Sequence, residues 1–142
     1  MLLGQHEHTL DDKNRLTLPA RLREQLGENV VVTRGLDRCL GVYAHDEFDK
    51  LAARVGGFDS FDPDARKLRR HFFSGAVDVE LDGQGRLVIP AHLLEHAGIT
   101  REVTVTGVSD HLEVWDRAAW RAQLQTVEGG AEDAAKRLAN RD

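Results

Sequence analysis

Two stretches of this 142-residue chain repeat each other, and that duplication constrains the fold more than any other feature. Leu10-Asp11-Asp12-Lys13-Asn14-Arg15-Leu16-Thr17-Leu18-Pro19-Ala20 matches Leu81-Asp82-Gly83-Gln84-Gly85-Arg86-Leu87-Val88-Ile89-Pro90-Ala91, in register 71 residues apart. The match continues through Leu22/Leu93, Glu24/Glu95 and Gly27/Gly98. After one inserted residue the offset becomes 72 and pairs Gly35/Gly107, Leu40/Leu112, Val42/Val114, Tyr43/Trp115 and Phe48/Trp120. A run this long in register is a duplication, so both copies must fold alike.

Each copy reads as strand, tight turn, strand, short helix, hairpin and closing helix. Within the Asp-to-Arg turn, Asn14 and Gly85 hold matching positions, and both residue types tolerate the left-handed backbone of a tight reversal. Leu16/Leu18 and Leu87/Ile89 alternate with Thr17 and Val88, a period of two that sends one row inward. Pro19 and Pro90 suit a helix start, and Gly27 and Gly98 suit helix stops. Residues 30–33 and 39–43, then 102–106 and 111–115, read as hairpins across Gly- and Asp-containing loops. Asp46 and Asp116 are the expected N-caps of the closing helices, whose apolar spacing falls on Phe48, Leu51, Ala52 and Val55, then on Trp120, Leu124 and Val127.

A unit of about 40 residues rarely folds without a staple, so the copies are expected to complete one another around one core. The expected organisation is a first repeat over residues 1–53, a connector with an amphipathic helix over 54–76, a second repeat over 77–127 and a tail over 128–142. Asp62-Pro63-Asp64 opens the connector helix, with Ala65, Leu68 and Phe72 on its apolar side and Arg66, Lys67, Arg69, Arg70 and His71 on the rest. After Gly129-Gly130 the tail has helical composition. Hydrophobic residues make up 41% and charged residues 30%, a globular balance, and no apolar run nears the ~20 residues of a membrane span. The start lacks a secretory signal pattern, and a lone Cys39 suits the reducing cytosol, so the expected setting is cytoplasmic.

An aspartate and an arginine four residues apart flank a tight turn twice, and two readings stand. In one, Asp11 and Asp82 merely clasp the turn amides and pair with Arg15 and Arg86. In the other, the aspartate holds the loop while the arginine offers its planar fork to a phosphate or a guanine edge. A net charge of −5 denies the chain a general basic coat, though not a local one, and 6% aromatic residues argue against single-strand binding by stacking.

The doubled Asp-x-x-x-Arg within LDDKNRLTLP and LDGQGRLVIP, the later Leu-x-Val-Tyr/Trp and the opening Met-x-x-Gly resemble the MraZ family of bacterial transcriptional regulators, from residue 1 to about 127. The resemblance implies an α+β fold: a tandem, pseudo-symmetric AbrB-like swapped-hairpin β-barrel of the SpoVT-AbrB class, with short peripheral helices. It implies ring-like homo-oligomers at the nucleoid, binding double-stranded DNA at short direct repeats in the promoter of the division and cell-wall gene cluster, the protein's own gene included. No catalysis, cofactor or membrane partner is implied. The family's DNA-binding signature carries over to Asp11, Arg15, Asp82 and Arg86, with Asn14 standing where glycine is more usual and nothing carried onto the tail.

From Leu10 to Phe48 there are six Lys/Arg against seven Asp/Glu, and from Leu81 to Trp120 three against six. Lys13, Arg15, Arg21 and Arg23 crowd the first copy, so the expectation from charge is that this copy makes most of the DNA contact, with Arg86 alone in the second. Multivalency through a ring would let an acidic chain hold DNA. The runner-up is an AbrB-like structural or protein-interaction module without a promoter site of its own, which the acidic second copy favours. His92-Leu93-Leu94-Glu95-His96 fits an inverted zinc-protease pattern, but its helix is short, no third ligand follows and the matching Arg21–Gln25 stretch has no histidine. His6 and His8 share a strand face without a further ligand pair, and Cys39 reads as a small buried hydrophobe.

Overall fold

The computed structural model describes residues 1–141. The first copy forms β1 (Gln5–Thr9), β2 (Arg15–Thr17), α1 (Ala20–Leu26), β3 (Asn29–Arg34), β4 (Leu40–Ala44) and α2 (His45–Gly56). The connector supplies α3 (Pro63–Gly75). The second copy forms β5 (Val77–Glu80), β6 (Arg86–Val88), α4 (Ala91–Ala97), β7 (Glu102–Gly107), β8 (Leu112–Asp116) and α5 (Arg117–Ala139).

The copies exchange their first strands. One six-stranded sheet runs β1-β7-β8-β4-β3-β5, so β1 pairs with the second copy's hairpin and β5 with the first copy's. Every pairing in it is antiparallel. Reversing that order and interchanging the copies returns the same list, which is a pseudo-twofold axis. The axis passes through Gly41 opposite Glu113, with Leu40 opposite Val114 and Val42 opposite Leu112 on either side. A second pairing straddles it: β2 and β6 form a separate two-stranded ribbon centred on Leu16 opposite Leu87.

The hydrogen bonding therefore draws an open sheet capped by a ribbon, where the sequence predicts a barrel. Strands β1 and β5 lie at opposite edges and do not pair with each other. Each leaves its edge through the Asp-to-Arg turn, which carries the chain into the ribbon. The repeat register also departs from its expectation. Val30 stands opposite Val79 and Val103 opposite His8, so Val30 and Val103 are the equivalents, one residue further apart than an offset of 72 places them. The extra residue lies in the β3–β4 hairpin loop.

The main core fills the space between ribbon and sheet. Leu16 and Leu87 from the ribbon, Val30, Val32, Val42 and Val114 from the sheet, and Leu22 and Leu93 from α1 and α4 are all essentially inaccessible. Fully burying such side chains stabilises by about 1.5–3 kcal/mol each, and both copies contribute to this one core. On the sheet's other face Tyr43, Leu51, Val55 and Phe72 join α2 and α3 to the first hairpin. Cys39 is buried in its hairpin.

Helix ends follow local chemistry with one correction. Asp62 accepts from the Asp64 amide at 2.9 Å to open α3, and Asp116 accepts from Ala119 at 3.0 Å to open α5. The N-cap of α2 is Ala44, not Asp46, which falls in the first turn, where its charge still favours the helix dipole. Gly27 and Gly98 end α1 and α4 at positive φ. Helix α5 runs unbroken through Gly129 and Gly130 and buries none of its residues. Its first turns dock through Arg117, which reaches the His8 carbonyl at 2.7 Å, and Trp120, which donates to Gln5 at 2.9 Å. No helix among the described residues is long and apolar enough to cross a membrane.

Candidate nucleic-acid interface

The two Asp-x-x-x-Arg turns are built alike. In the first, Asp11 Oδ1 accepts from the amides of Lys13 and Arg15, both at 2.9 Å, and Oδ2 accepts from Arg15 Nε at 2.6 Å. In the second, Asp82 Oδ1 accepts from the amides of Gln84 and Arg86 at 2.9 Å, and Oδ2 from Arg86 Nε at 2.7 Å. Asn14 and Gly85 take the left-handed position at φ 58° and 73°. The Arg15 amide, above all, holds the Asp11 carboxyl at about 2 against a usual 3.8, with the guanidinium and the Lys13 amide adding to it. The same arrangement lowers Asp82.

The clasp settles the arginines' geometry without consuming them. Each spends its Nε on the aspartate, and among the described residues the Nη groups of both make no further hydrogen bond. Their side chains are about a quarter exposed, at 27% and 26%. The clasp reading is the one these bonds show, and the clasp also restrains each guanidinium, leaving its Nη groups unspent.

The turns lock onto each other through the ribbon. The Asn14 carbonyl accepts from the Ile89 amide and the Gly85 carbonyl from the Leu18 amide, both at 3.0 Å. Strand alternation then sorts the ribbon's side chains. Leu16 and Leu87 point into the core, while Arg15, Thr17, Arg86 and Val88 occupy the outer face. Arg15 stands opposite Val88 and Thr17 opposite Arg86, so the two arginines lie on one diagonal. Diagonal neighbours across an antiparallel pair are roughly 7–8 Å apart.

The remaining candidates do not gather as the sequence suggests. Lys13 is exposed in the first turn, and Arg21 is exposed on α1. Arg23 lies instead across the second copy's turn: a Cβ on Gly85 would meet its Cδ at 2.2 Å. Strand exchange therefore gives a first-copy cation to the second-copy turn. Two of the connector cations bond nearby backbone, Arg66 donating to the Ser60 and Phe61 carbonyls and Arg69 to the Gly56 carbonyl at the end of α2. Thr17 and Val88 are the ribbon residues that the motif alone does not single out. The signal was their alternation with the buried leucines.

The histidine pattern is dispersed. His92 Nε2 faces the Gly75 carbonyl at 3.1 Å, and His96 packs edge-on to His71 with 5.6 Å between rings. Among the described residues no group of three or more His, Cys, Asp or Glu is arranged to hold a metal ion. The Cys39 thiol lies against the Leu36 carbonyl at 3.0 Å, and burial pushes its pKa up, away from nucleophilic use.

A family model described as "MraZ protein" matches the chain twice, over residues 1–71 and 72–142. The chain is 43% identical over 140 residues to a protein of Caldanaerobacter subterraneus subsp. tengcongensis named "Transcriptional regulator MraZ", covering 99% of this chain and 98% of that one.

Proposed function

The chain belongs to the MraZ family, and from that premise we propose that it is a transcriptional regulator that binds duplex DNA through the outer face of its β2–β6 ribbon. It is a reading without catalysis, in keeping with the regulator role in the relative's name. The observation that carries it is the pair of aspartate-clasped arginines on one diagonal of a solvent-facing ribbon. A two-stranded ribbon fits a major groove ~12 Å wide, since its strands are only ~5 Å apart. The diagonal spacing of roughly 7–8 Å spans about two base-pair steps of ~3.4 Å, so each fork addresses its own base pair. A guanine edge offers the two acceptors that such a fork engages.

The strand exchange between copies supports assigning the unit to the swapped-hairpin class. Promoter direct repeats, read by a ring-like homo-oligomer, answer the question the net charge of −5 raises. Modest contacts repeated on one assembly multiply into avidity of ~10²–10⁴. Occupancy of its own promoter would then block or alter polymerase access. Footprinting of the full-length protein on the DNA upstream of its own gene tests this. Protection of regularly spaced repeats, lost in Arg15→Ala and weakened steeply by salt, is expected. A monomer that leaves that region unprotected would overturn it in favour of a protein-interaction module.

A further inference from the structure

The outer face of the β2–β6 ribbon carries four side chains, and the clasps account for two. The other diagonal holds Thr17 and Val88. Val88 is 51% exposed although Leu87 beside it is fully buried, so it adds little to the core. It stands directly across from Arg15 and two residues along its strand from Arg86, whose guanidiniums make no bond beyond their aspartates among the described residues. Val88 is thus an apolar side chain held in the open on the face that carries both clasped arginines. At the symmetric position Thr17 has a hydroxyl, so the pseudo-twofold axis is broken on this diagonal.

Resting on the duplex-binding reading above, we infer that Val88 reads a base by apolar contact with the C5-methyl of a thymine next to the base pair that Arg15 engages. Among the groups lining the major groove, that methyl is the one apolar feature. Valine has neither donor nor acceptor, so it rewards the methyl and leaves the amino or carbonyl edges of other bases unsatisfied. Its β-branched side chain is stiff, which holds the contact in place at little entropic cost. The cations of the ribbon and its turns favour DNA as the occupant of this face: Arg15 and Arg86 lie on the ribbon, Lys13 in the first turn and Arg23 over Gly85 in the second, beside an apolar spot too small for a protein interface.

The test uses the full-length protein and a pool of randomised duplexes. Sequences retained by the wild type are resynthesised with each thymine replaced in turn by uracil, which removes only the methyl. The expected result is one position where uracil weakens wild-type binding about fivefold or more. In Val88→Ala the thymine and uracil duplexes bind equally at that position, while Thr17→Val keeps the wild-type difference there. An equal uracil penalty in wild type and Val88→Ala at every position overturns the inference, as does a retained pool with no thymine preference. So does a change of oligomeric state in Val88→Ala by sedimentation, which would make this a protein contact. In each of those cases an intact Arg15→Ala binding defect leaves the duplex-binding reading standing. A wild type that retains no duplex at all overturns both.

Discussion

The first and second Asp-x-x-x-Arg turns make the same three carboxylate bonds but lie under different neighbours. Over the second turn lies Arg23, a residue of the other copy, with its stem against Gly85. The helix position equivalent to Arg23 is Leu94 in α4, which is buried in the core and brings no charge. Cations counted along each copy give the first turn the advantage; cations counted in space give Lys13 and Arg15 to one turn and Arg23 and Arg86 to the other. In an exchanged duplication, the electrostatics of a site belong to the fold and not to the repeat that encodes it.

The largest effect expected from this comparison concerns what the two halves share. Leu16→Ala and Leu87→Ala each empty a fully buried site on the axis. Each is expected to cost about 2–5 kcal/mol in chemical denaturation, with one cooperative transition for both. Two separate transitions, or a loss confined to one variant, would mean that the copies fold as independent units.

Next in size is DNA binding. Arg15→Ala and Arg86→Ala are expected to weaken operator binding comparably, by about 1–3 kcal/mol each in gel-shift titrations. Arg23→Ala should cost less and act through the second turn, so that its effect largely disappears in the Arg86→Ala background. A loss confined to Arg15→Ala would restore the simple charge count and make the second copy an assembly element.

Much of this was legible in the residues and some was not. Duplication, turn chemistry and strand alternation are local, so the paired turns, the buried leucines and the glycine helix stops could be read directly. Strand exchange is a choice between two hairpins of like composition, NVVVTR in β3 and EVTVTG in β7, and no local pattern says which of them β1 or β5 pairs with. Arg23 was therefore grouped with its sequence neighbours instead of with Gly85. The repeat offset slipped because a hairpin loop absorbs an extra residue without a compositional mark. Helix α5 passes through Gly129-Gly130 because glycine weakens a helix by only about 1 kcal/mol without ending it.

A smaller difference is expected from the turn centres. Gly85→Ala puts a Cβ at positive φ, a strain of about 1–2 kcal/mol that Asn14 already bears in large part, so Asn14→Ala costs less. Gly85→Ala must also push Arg23 aside, whereas the equivalent position of α4 holds the buried Leu94. Thermal denaturation should show Gly85→Ala as the more damaging of the two, with part of its loss recovered when Arg23→Ala is combined with it. A Gly85→Ala loss unchanged in the Arg23→Ala background would mean that Arg23 moves away freely and does not help shape the turn.

The finest comparison is between the two carboxylates. Both are lowered chiefly by the backbone amide four residues on, Asp11 to about 2 and Asp82 also below 3.8. A depressed folded-state pKa means that the ionised clasp adds stability above the ordinary carboxylate range, and that this contribution is lost as pH falls from about 4 toward 2. Carboxyl titration by NMR should follow that window for Asp11. Because the Arg15 and Lys13 amides still bond the carboxylate when the guanidinium is gone, Arg15→Ala should raise the Asp11 midpoint only part of the way to 3.8 and leave the turn closed at neutral pH. A midpoint that returns fully to 3.8 would show that the arginine holds the turn. Its fork would then be a structural strut, and the same test on Arg86 would decide whether the two copies divide the labour after all.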